Sequence, residues 1–357
     1  MQTFLPTCQP FRLRANLLSG LLLLLALILL NAHSVALAAD SQIMPLAEKS
    51  LLLDGQVIGD RIVVVGERGH ILISKDQGLS WQQQQVPTRA TLTSVFFIDP
   101  LNGWAAGHTG IILRTRDGGQ SWQEVYSNPE DERPILDIWF RDLDQGYAVG
   151  AYGLTLATED AGETWTPFDF NPATLNDDNT ATGDSQTEEP AAETWGIDFH
   201  LNQIVAAANN RVYVAAEAGN LYRSDDGCRT WLSLPSPYEG SFYGSLPLTP
   251  TSLLAFGLRG HLFRSDDSGI DWTPIDSGTQ ATLNDGILLR DGRIALAGLA
   301  GTLLISSDGG HSFGLFAQAD RAGIARVLQA DDGALILVGE HGVKRLALPG
   351  KAKEAGQ

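Results

Sequence analysis

The feature that most constrains the fold of this chain is a pair of short signatures that recur together at a fixed spacing. The first signature follows an apolar run and consists of a small residue, two variable residues and a glycine. Its copies are separated by 41, 43, 66, 41, 41 and 41 residues, and they begin at Gly66, Gly107, Gly150, Ala216, Gly257, Gly298 and Gly339. The spacing predicts a repeat protein with seven units and one insertion.

The second signature reads Ser or Thr, any residue, Asp, any residue, Gly, two further residues and an aromatic residue. In each of six copies the Asp lies ten residues, and the aromatic residue fifteen residues, after the start of the first signature. The pairs are Asp76 and Trp81, Asp117 and Trp122, Asp160 and Trp165, Asp226 and Trp231, Asp267 and Trp272, and Asp308 and Phe313. Cys228 replaces the glycine in the fourth copy, which predicts a strained turn that the preceding Gly227 relieves.

This second signature predicts a β-hairpin turn in which the Asp accepts hydrogen bonds from backbone N–H groups and the glycine takes a positive φ. The aromatic residue opens the next strand and buries its ring between neighbouring sheets. Short β-type runs, such as residues 94–98, 103–106 and 111–115, give four strands per unit, and no long amphipathic helix is predicted after residue 39. Together these patterns predict an all-β protein, a seven-bladed β-propeller of four-stranded antiparallel blades.

The two ends of the repeat array predict how the ring closes. The last unit, which ends near residue 348, has no second signature and therefore lacks an outermost strand. Residues 41–44 lie at the matching distance before the first unit, and we expect them to supply this strand and to remove the open edge. The propeller then spans residues 40–348 and is followed by a flexible tail, residues 349–357.

One interval between repeats is long, because it contains residues 171–194 between the third and fourth blades. This segment carries six acidic residues and no basic residue. Such a composition predicts a disordered acidic insertion.

The N-terminal segment predicts export. Arg12 and Arg14 precede an apolar run over residues 17–30, and small residues that end at Ala39 offer a cleavage site. We expect residues 1–39 to be a signal peptide and the mature protein to be periplasmic; an uncleaved membrane anchor is the alternative. Without this segment, 22 basic residues face 42 acidic ones, so nucleic acid is excluded as an expected partner.

The repeats resemble the Asp-box, or BNR-type, repeats of sialidases, sortilin-type receptors and the photosystem II stability and assembly factor family. The last of these is most similar, because residues 65–81 and 106–122 echo its pattern of Val-Gly-x-x-Gly followed by the Asp signature. This resemblance implies an exported, non-catalytic propeller without a cofactor that binds a membrane protein during assembly. The acidic balance and the lack of an arginine patch favour the non-photosynthetic bacterial branch, with an envelope transporter complex as partner. We expect a monomer.

A sialidase-like glycoside hydrolase or a carbohydrate-binding propeller is the alternative function. A sialidase needs an arginine triad and a Phe-Arg-Ile-Pro-like start, and the nearest strings, residues 61–63 and 133–134, do not match. The histidines are scattered singly along the repeats without the spacing of a metal site. Neither an enzyme nor a metal protein is expected.

The candidate binding residues lie in the variable positions of the inner turns, because loops carry specificity on a repeated scaffold. They are Glu67, Arg68, His108, Tyr152, Arg259 and His341. A second set is expected either on innermost strands that face the central channel or at the ends of strands: Asp137, Asp198, Asp285 and Arg326.

Overall fold

The computed structural model describes residues 40–174, 198–207 and 210–348, which form seven β-sheets arranged as consecutive repeats. These sheets confirm the predicted seven-bladed β-propeller. The predicted signal peptide, residues 175–194 of the acidic insertion and the tail lie outside the described residues.

Except for one additional strand in blade four, the strands follow one another from the innermost to the outermost position of each blade. In blades one to three they are β1 (Leu52–Ile58), β2 (Arg61–Gly66), β3 (Ile71–Ser74), β4 (Gln82–Gln84), β5 (Leu92–Phe97), β6 (Gly103–Gly107), β7 (Ile112–Thr115), β8 (Gln123–Tyr126), β9 (Ile135–Phe140), β10 (Gly146–Gly150), β11 (Thr155–Thr158) and β12 (Thr166–Pro167). In blades four and five they are β13 (Ala173–Thr174), β14 (Leu201–Ala206), β15 (Val212–Ala216), β16 (Leu221–Ser224), β17 (Leu232–Ser233), β18 (Phe242–Pro247), β19 (Leu253–Gly257), β20 (Leu262–Ser265) and β21 (Thr273–Pro274).

Blades six and seven complete the ring. Their strands are β22 (Leu283–Leu288), β23 (Ile294–Gly298), β24 (Leu303–Ser306), β25 (Gly314–Leu315), β26 (Ile324–Gln329), β27 (Leu335–Gly339) and β28 (Gly342–Leu346). Single 3-10 turns lie at Ala47–Lys49, Glu67–Gly69, His108–Gly110, Ala151–Gly153, Leu258–Gly260 and Leu299–Gly301. All but the first of these turns join the second strand of a blade to the third.

Blade four differs from the predicted pattern, because its sheet has five strands. The additional strand β13 pairs in parallel with the outer strand β17, with Ala173 opposite Leu232. The first residues of the predicted acidic insertion therefore extend a sheet before the chain leaves the described region.

Blade seven has three strands in the described part of the chain, and the predicted closure by residues 41–44 is not confirmed. The amide of Ser41 donates to the carbonyl of Val86 at 2.8 Å, and the amide of Met44 donates to Oε1 of Gln83, also at 2.8 Å. The side chain of Gln83 donates in return to the carbonyl of Gln42. These bonds hold the segment against the outer edge of blade one, so it cannot complete blade seven.

The ring closes instead through side chains of blades one and seven. Leu328 and Ile336 of blade seven share an apolar cluster with Leu52 and Val64 of blade one. Burial of these side chains removes apolar surface from water, which is the main favourable contribution to folding.

The other seams between blades follow the same plan, and the aromatic residue of each Asp box lies at one of them. Trp122 of blade two, for example, packs in a cluster with Val65 and Ile73 of blade one. The ring of Phe97 meets it edge-on at 5.9 Å between ring centroids. The second strands β6, β15, β19, β23 and β27 are buried along their whole length, and β2 and β10 have one half-buried residue each, because neighbouring sheets cover both faces.

We predict that Trp122→Ala lowers the free energy of unfolding by about 3–5 kcal/mol, because it leaves a cavity in the seam between blades one and two. Urea-induced unfolding followed by tryptophan fluorescence and circular dichroism measures this change. The control is Leu79→Ala, whose side chain is 72% exposed in the equivalent loop of blade one. This control should stay within about 0.5 kcal/mol of the parent protein; equal effects of the two variants would contradict the packing role of the indole.

Candidate functional site

The Asp-box carboxylates lie in the hairpin loops between the third and fourth strands, where they organise their own loop. Oδ1 of Asp76 accepts the amide of Ser80 at 2.8 Å, and Ser74 Oγ donates to the same carboxylate at 2.8 Å. The hydrogen bonds from Ser80 hold the pKa of Asp76 at about 2. The same amide bond, four residues along the chain, is made by Asp117, Asp160, Asp226, Asp267 and Asp308.

The fourth Asp box carries its strain at the cysteine itself. Cys228 has a φ of 73°, in the left-handed region that favours glycine, and its side chain is buried beside Trp231. Gly227 has a φ of 74°, and the residue before the box glycine is also left-handed in other boxes, for example Gln77 at 63°. The predicted strain therefore lies at Cys228, which adopts the conformation of the glycine that it replaces, while Gly227 takes the other left-handed position as a glycine.

The opposite face carries the turns between the second and third strands, and these turns have an unusual backbone. Their second residue has a left-handed φ between 50° and 60° although it is not glycine, and the residues are Arg68, Thr109, Tyr152, Ala218, Arg259 and Ala300. The glycine that follows is required by space as well, because a Cβ on Gly69 would lie 2.2 Å from the carbonyl of Thr88. Non-glycine residues in this region store strain, which is commonly retained where a side chain has a function.

Two of these turns hold their predicted binding residues in defined contacts. Glu67 and Arg68 form an ion pair at 4.0 Å, with 68% of the arginine side chain exposed. The ring of Tyr152 meets the imidazole of His200 edge-on at 4.8 Å between centroids. His200 in turn lies 3.6 Å from Glu217 of its own blade. The contact between Tyr152 and His200 connects the third and fourth blades on this face.

The predicted binding residues do not converge on one pocket. Arg259 lines a cavity of about 650 Å³ on blade five, Arg68 lines one of about 380 Å³ on blade one, and His341 lines a cleft of about 30 Å³ on blade seven. His108 is exposed on its turn. The structure thus distributes these side chains around the rim of the turn face.

Sequence reasoning missed a concave region between blades five and six. Beside the cavity of Arg259 lies a second one of about 500 Å³, which Arg321 lines, and the two share Thr279 and Gln280 as a common wall. The walls come from connections that are distant in the sequence, and no motif marks them.

The central channel is lined by the innermost strands, and one residue of each strand occupies an equivalent position. It follows the register irregularity near the start of the strand. The seven ring residues are Asp54, Ser94, Asp137, Gln203, Gly244, Asp285 and Arg326. Asp137, Asp285 and Arg326 thus lie on innermost strands, whereas Asp198 lies three residues before β14 and is exposed, so it does not face the channel from a strand.

Five ring residues accept a hydrogen bond from a backbone amide of the next blade. The side chain of Asp54 accepts the amide of Val95 at 2.7 Å, and that of Asp137 accepts the amide of Ile204 at 2.9 Å. The other three pairs are Ser94 with Ile138, Gln203 with Ser245, and Asp285 with Val327. Each bond satisfies an N–H group on the free inner edge of a strand, where a buried and unpaired amide is costly.

Arg326 completes the ring at the joint between the first and last blades. Its guanidinium lies 3.2 Å from a carboxylate oxygen of Asp54 and 3.0 Å from one of Asp285, and 35% of its side chain is exposed. Desolvation lowers the pKa of Arg326, but the charges of Asp285, Asp54 and Asp137 outweigh this effect and raise it above its ordinary value. The arginine therefore stays charged and links blades six, seven and one.

Asp137 is the ring carboxyl group whose pKa most affects how the stability of the protein depends on pH. Burial, together with the negative charge of Asp54, raises its pKa to about 7, although Ser94 and the amide of Ile204 act in the opposite direction. Burial also raises the pKa of Asp54 and of Asp285, and the charge of Arg326 opposes the shift in both.

The described residues contain neither a cluster of metal ligands nor a membrane-spanning helix. In residues 40–174, 198–207 and 210–348, no three His, Cys, Asp or Glu side chains lie close enough to hold a metal ion. The same part of the chain contains no helix of the length and apolar character needed to cross a bilayer.

Comparison with known proteins relates these repeats to one family. A family model described as photosynthesis system II assembly factor YCF48 matches residues 44–130 and 73–188. The resemblance to the photosystem II assembly-factor family is confirmed. A chloroplastic photosystem II stability/assembly factor HCF136 from Cyanidioschyzon merolae is 29% identical over 103 residues, which cover 27% of this chain and 24% of the relative. The photosystem II assembly protein Ycf48 from Thermosynechococcus vestitus is 44% identical over 43 residues, 12% of each chain.

Solved structures of the assembly-factor family share the fold over nearly the whole described chain. YCF48 from Cyanidioschyzon merolae superposes with a TM-score of 0.66 and 17% identity, covering 88% of this chain and 100% of the other. A structure of YCF48 bound to D1 peptide superposes with a TM-score of 0.65 and 18% identity, covering 87% and 96%. At these identities the likeness establishes the seven-bladed architecture.

We predict that Ala300→Gly raises the free energy of unfolding by about 1 kcal/mol, because Ala300 has a φ of 54° and a glycine adopts this conformation without strain. The methyl group is small, so little packing is lost. Differential scanning calorimetry should show a higher melting temperature than for the parent protein. An unchanged or lower melting temperature would contradict the assignment of strain to these turns.

We predict that the protein becomes less stable as the pH rises from about 4 to above 7, and that Asp137→Asn reduces this dependence. The folded state retains the proton of Asp137 up to a pKa of about 7, whereas the unfolded chain releases it near the ordinary value of 3.8. The folded state therefore binds more protons in this range, so raising the pH costs stability.

Melting temperatures measured at half-unit pH steps in one buffer of constant ionic strength test the prediction. Asp60→Asn is the control, because the side chain of Asp60 is 92% exposed and its removal should leave the pH profile unchanged. Equal slopes for the parent protein and Asp137→Asn would show that Asp137 does not titrate in this range.

Proposed function

We propose that this protein is a non-catalytic, periplasmic scaffold that binds a membrane protein and assists its assembly or stability. The observation that carries the proposal is the match of residues 44–188 to the assembly-factor family. A structural relative, YCF48, has been solved with a D1 peptide bound, which supports a protein partner in general.

The arrangement of carboxylates favours binding over glycoside hydrolysis. Hydrolysis of this kind generally uses a pair of carboxyl groups that flank the scissile bond. The four cavities described above contain at most one carboxylate each, namely Asp276, Asp320 and Glu67 in three of them. The Asp-box carboxylates are engaged by their own loops, and those of the central ring by neighbouring amides and Arg326.

The setting we propose is the periplasm of a non-photosynthetic bacterium, with an envelope transport system as partner. The N-terminal segment with Arg12, Arg14 and the apolar run over residues 17–30 supports export. The excess of acidic residues supports a protein partner over nucleic acid. We propose that the scaffold acts as a monomer.

The surface we propose for the folded part of the partner is the turn face. Arg68, Tyr152 and Arg259 project from left-handed turns, where glycine would be less strained. Aromatic and arginine side chains are also the residue types that contribute most at protein interfaces.

Crosslinking in native envelopes tests this function. We expect the tagged protein to capture an integral membrane protein complex, and we expect deletion of its gene to lower the amount of that complex. The combined variant Arg68→Ala, Tyr152→Ala and Arg259→Ala should reduce capture by roughly tenfold or more.

The matched control places three alanines on the opposite face, at Lys75, Leu79 and Arg229. This control should capture the partner as the parent protein does. Turnover of a sialoside or glucan that one carboxylate substitution abolishes would favour the hydrolase, and absence of any enriched membrane protein would contradict the scaffold.

A further inference from the structure

The third strand of blade seven is exposed, unlike its counterparts in the other blades. In β3, β7 and β24 every residue is buried, and in β11, β16 and β20 one residue of four is half-buried. In β28 only Gly342 is buried, and the side chain of Lys344 is 45% exposed. A strand of this length with an uncovered edge is a template for pairing with another polypeptide segment.

The register of β28 identifies the backbone groups that face outward. Glu340 and His341 form a two-residue turn, and Gly339 pairs with Gly342 directly beside it. Pairs next to such a turn exchange hydrogen bonds, and bonded and non-bonded pairs then alternate along the ladder. The N–H and C=O groups of Val343 and Arg345 therefore point away from β27. Within the described residues, no backbone hydrogen bond from another element reaches them.

Two other outer edges of the same propeller are already covered by extended segments. The stretch from Ser41 to Met44 lies along the outer edge of blade one, where Ser41 donates to Val86. Strand β13 pairs with the outer strand of blade four. The propeller thus binds additional segments at the outer edges of two blades. Blade seven presents a similar outer edge at its third strand, β28.

We propose that an extended segment of the partner protein adds to β28 as the fourth strand of blade seven, an inference that rests on the function proposed above. Its backbone bonds to the N–H and C=O groups of Val343 and Arg345. Strand addition of this kind obtains affinity from main-chain hydrogen bonds and specificity from alternate side chains. The apolar side chain of the segment covers Leu346, which is half-buried against the core shared by blades six and seven.

Charge selects among the possible occupants of this edge. Lys344 and Arg345 are consecutive residues of β28 with side chains on opposite faces of the sheet, and they form ion pairs with Asp320 and Asp332. A second copy of the chain, paired edge to edge, would bring these cations against each other, and like charges on paired strands are destabilising. The tail of this chain carries two basic residues, Lys351 and Lys353, and one acidic residue, Glu354, so its charge does not complement these cations. The occupant is therefore a partner segment with acidic residues next to an apolar one.

The test uses a phage-displayed library of unstructured 12-residue peptides selected on the full mature protein. We expect the enriched peptides to combine acidic and apolar residues. Amide hydrogen exchange should show that the bound peptide protects Val343 and Arg345, which exchange rapidly in the free protein. Protection confined to the turn face, or a selection without any binder, would overturn the inference.

Arg345→Pro provides a second measurement with a matched control. Proline removes an N–H group that faces outward and is tolerated at such edge positions, whereas Arg345→Ala removes the same side chain and keeps the N–H. We expect the proline variant to bind the peptide roughly tenfold more weakly than the alanine variant or worse, with both variants folded by circular dichroism. Equal affinities would contradict strand addition.

Two further experiments test whether another segment occupies the edge of β28. Deletion of residues 349–357 should leave peptide affinity unchanged; a large increase would show that the tail occupies the edge. Sedimentation should show that the parent protein is a monomer. A dimer that dissociates in the Arg345→Pro variant would show that a second copy of the chain occupies the edge. If the parent protein captures a membrane complex and Arg345→Pro captures it equally well, the proposed function stands and the site at β28 is wrong.

Discussion

The inner edges of the seven innermost strands present backbone amides that pair with no further strand, and the rest of the propeller depends on how these amides find acceptors. Asp54, Asp137 and Asp285 each reach across to an amide of the following blade, as do Ser94 and Gln203. The same contact therefore satisfies a polar group and fixes the angle between two sheets. The cost is a group of buried carboxylates around one arginine, which couples the stability of the ring to pH.

Outside this polar ring, apolar seams hold the blades together and leave the turns free to vary. The indole of Trp122 and its counterparts fill the seams, and the Asp boxes fix the loops that present them. Neither system uses the variable turn residues, so Arg68, Tyr152 and Arg259 can change without loss of the fold. This separation is consistent with the occurrence of Asp-box repeats in proteins with different functions.

Much of the architecture was predictable from the sequence, because the contacts that define it are local. The turn around Asp76 involves residues within a few positions, so a fixed spacing predicts both the hairpin and the blade. The closure was not predictable by counting, since residues 41–44 can reach two outer edges and the bonds to Val86 and Gln83 decide between them. The bonding of the ring residues also escaped prediction, because each acceptor meets an amide 41 to 67 residues away through an irregular register.

The ring position of blade five is a glycine, Gly244, and this has a mechanical consequence. With no side chain at this position, Gly244 supplies no acceptor for an amide of blade six, and among the described residues the remaining joint consists of apolar contacts around Phe256 and a bond from Arg264 to the loop at Gly309. Stiffness is therefore uneven around the circumference. The joint between blades five and six lacks the side-chain bond to an inner-edge amide that five other joints have, and cavities of about 650 and 500 Å³ lie on either side of Thr279 and Gln280 beside this joint.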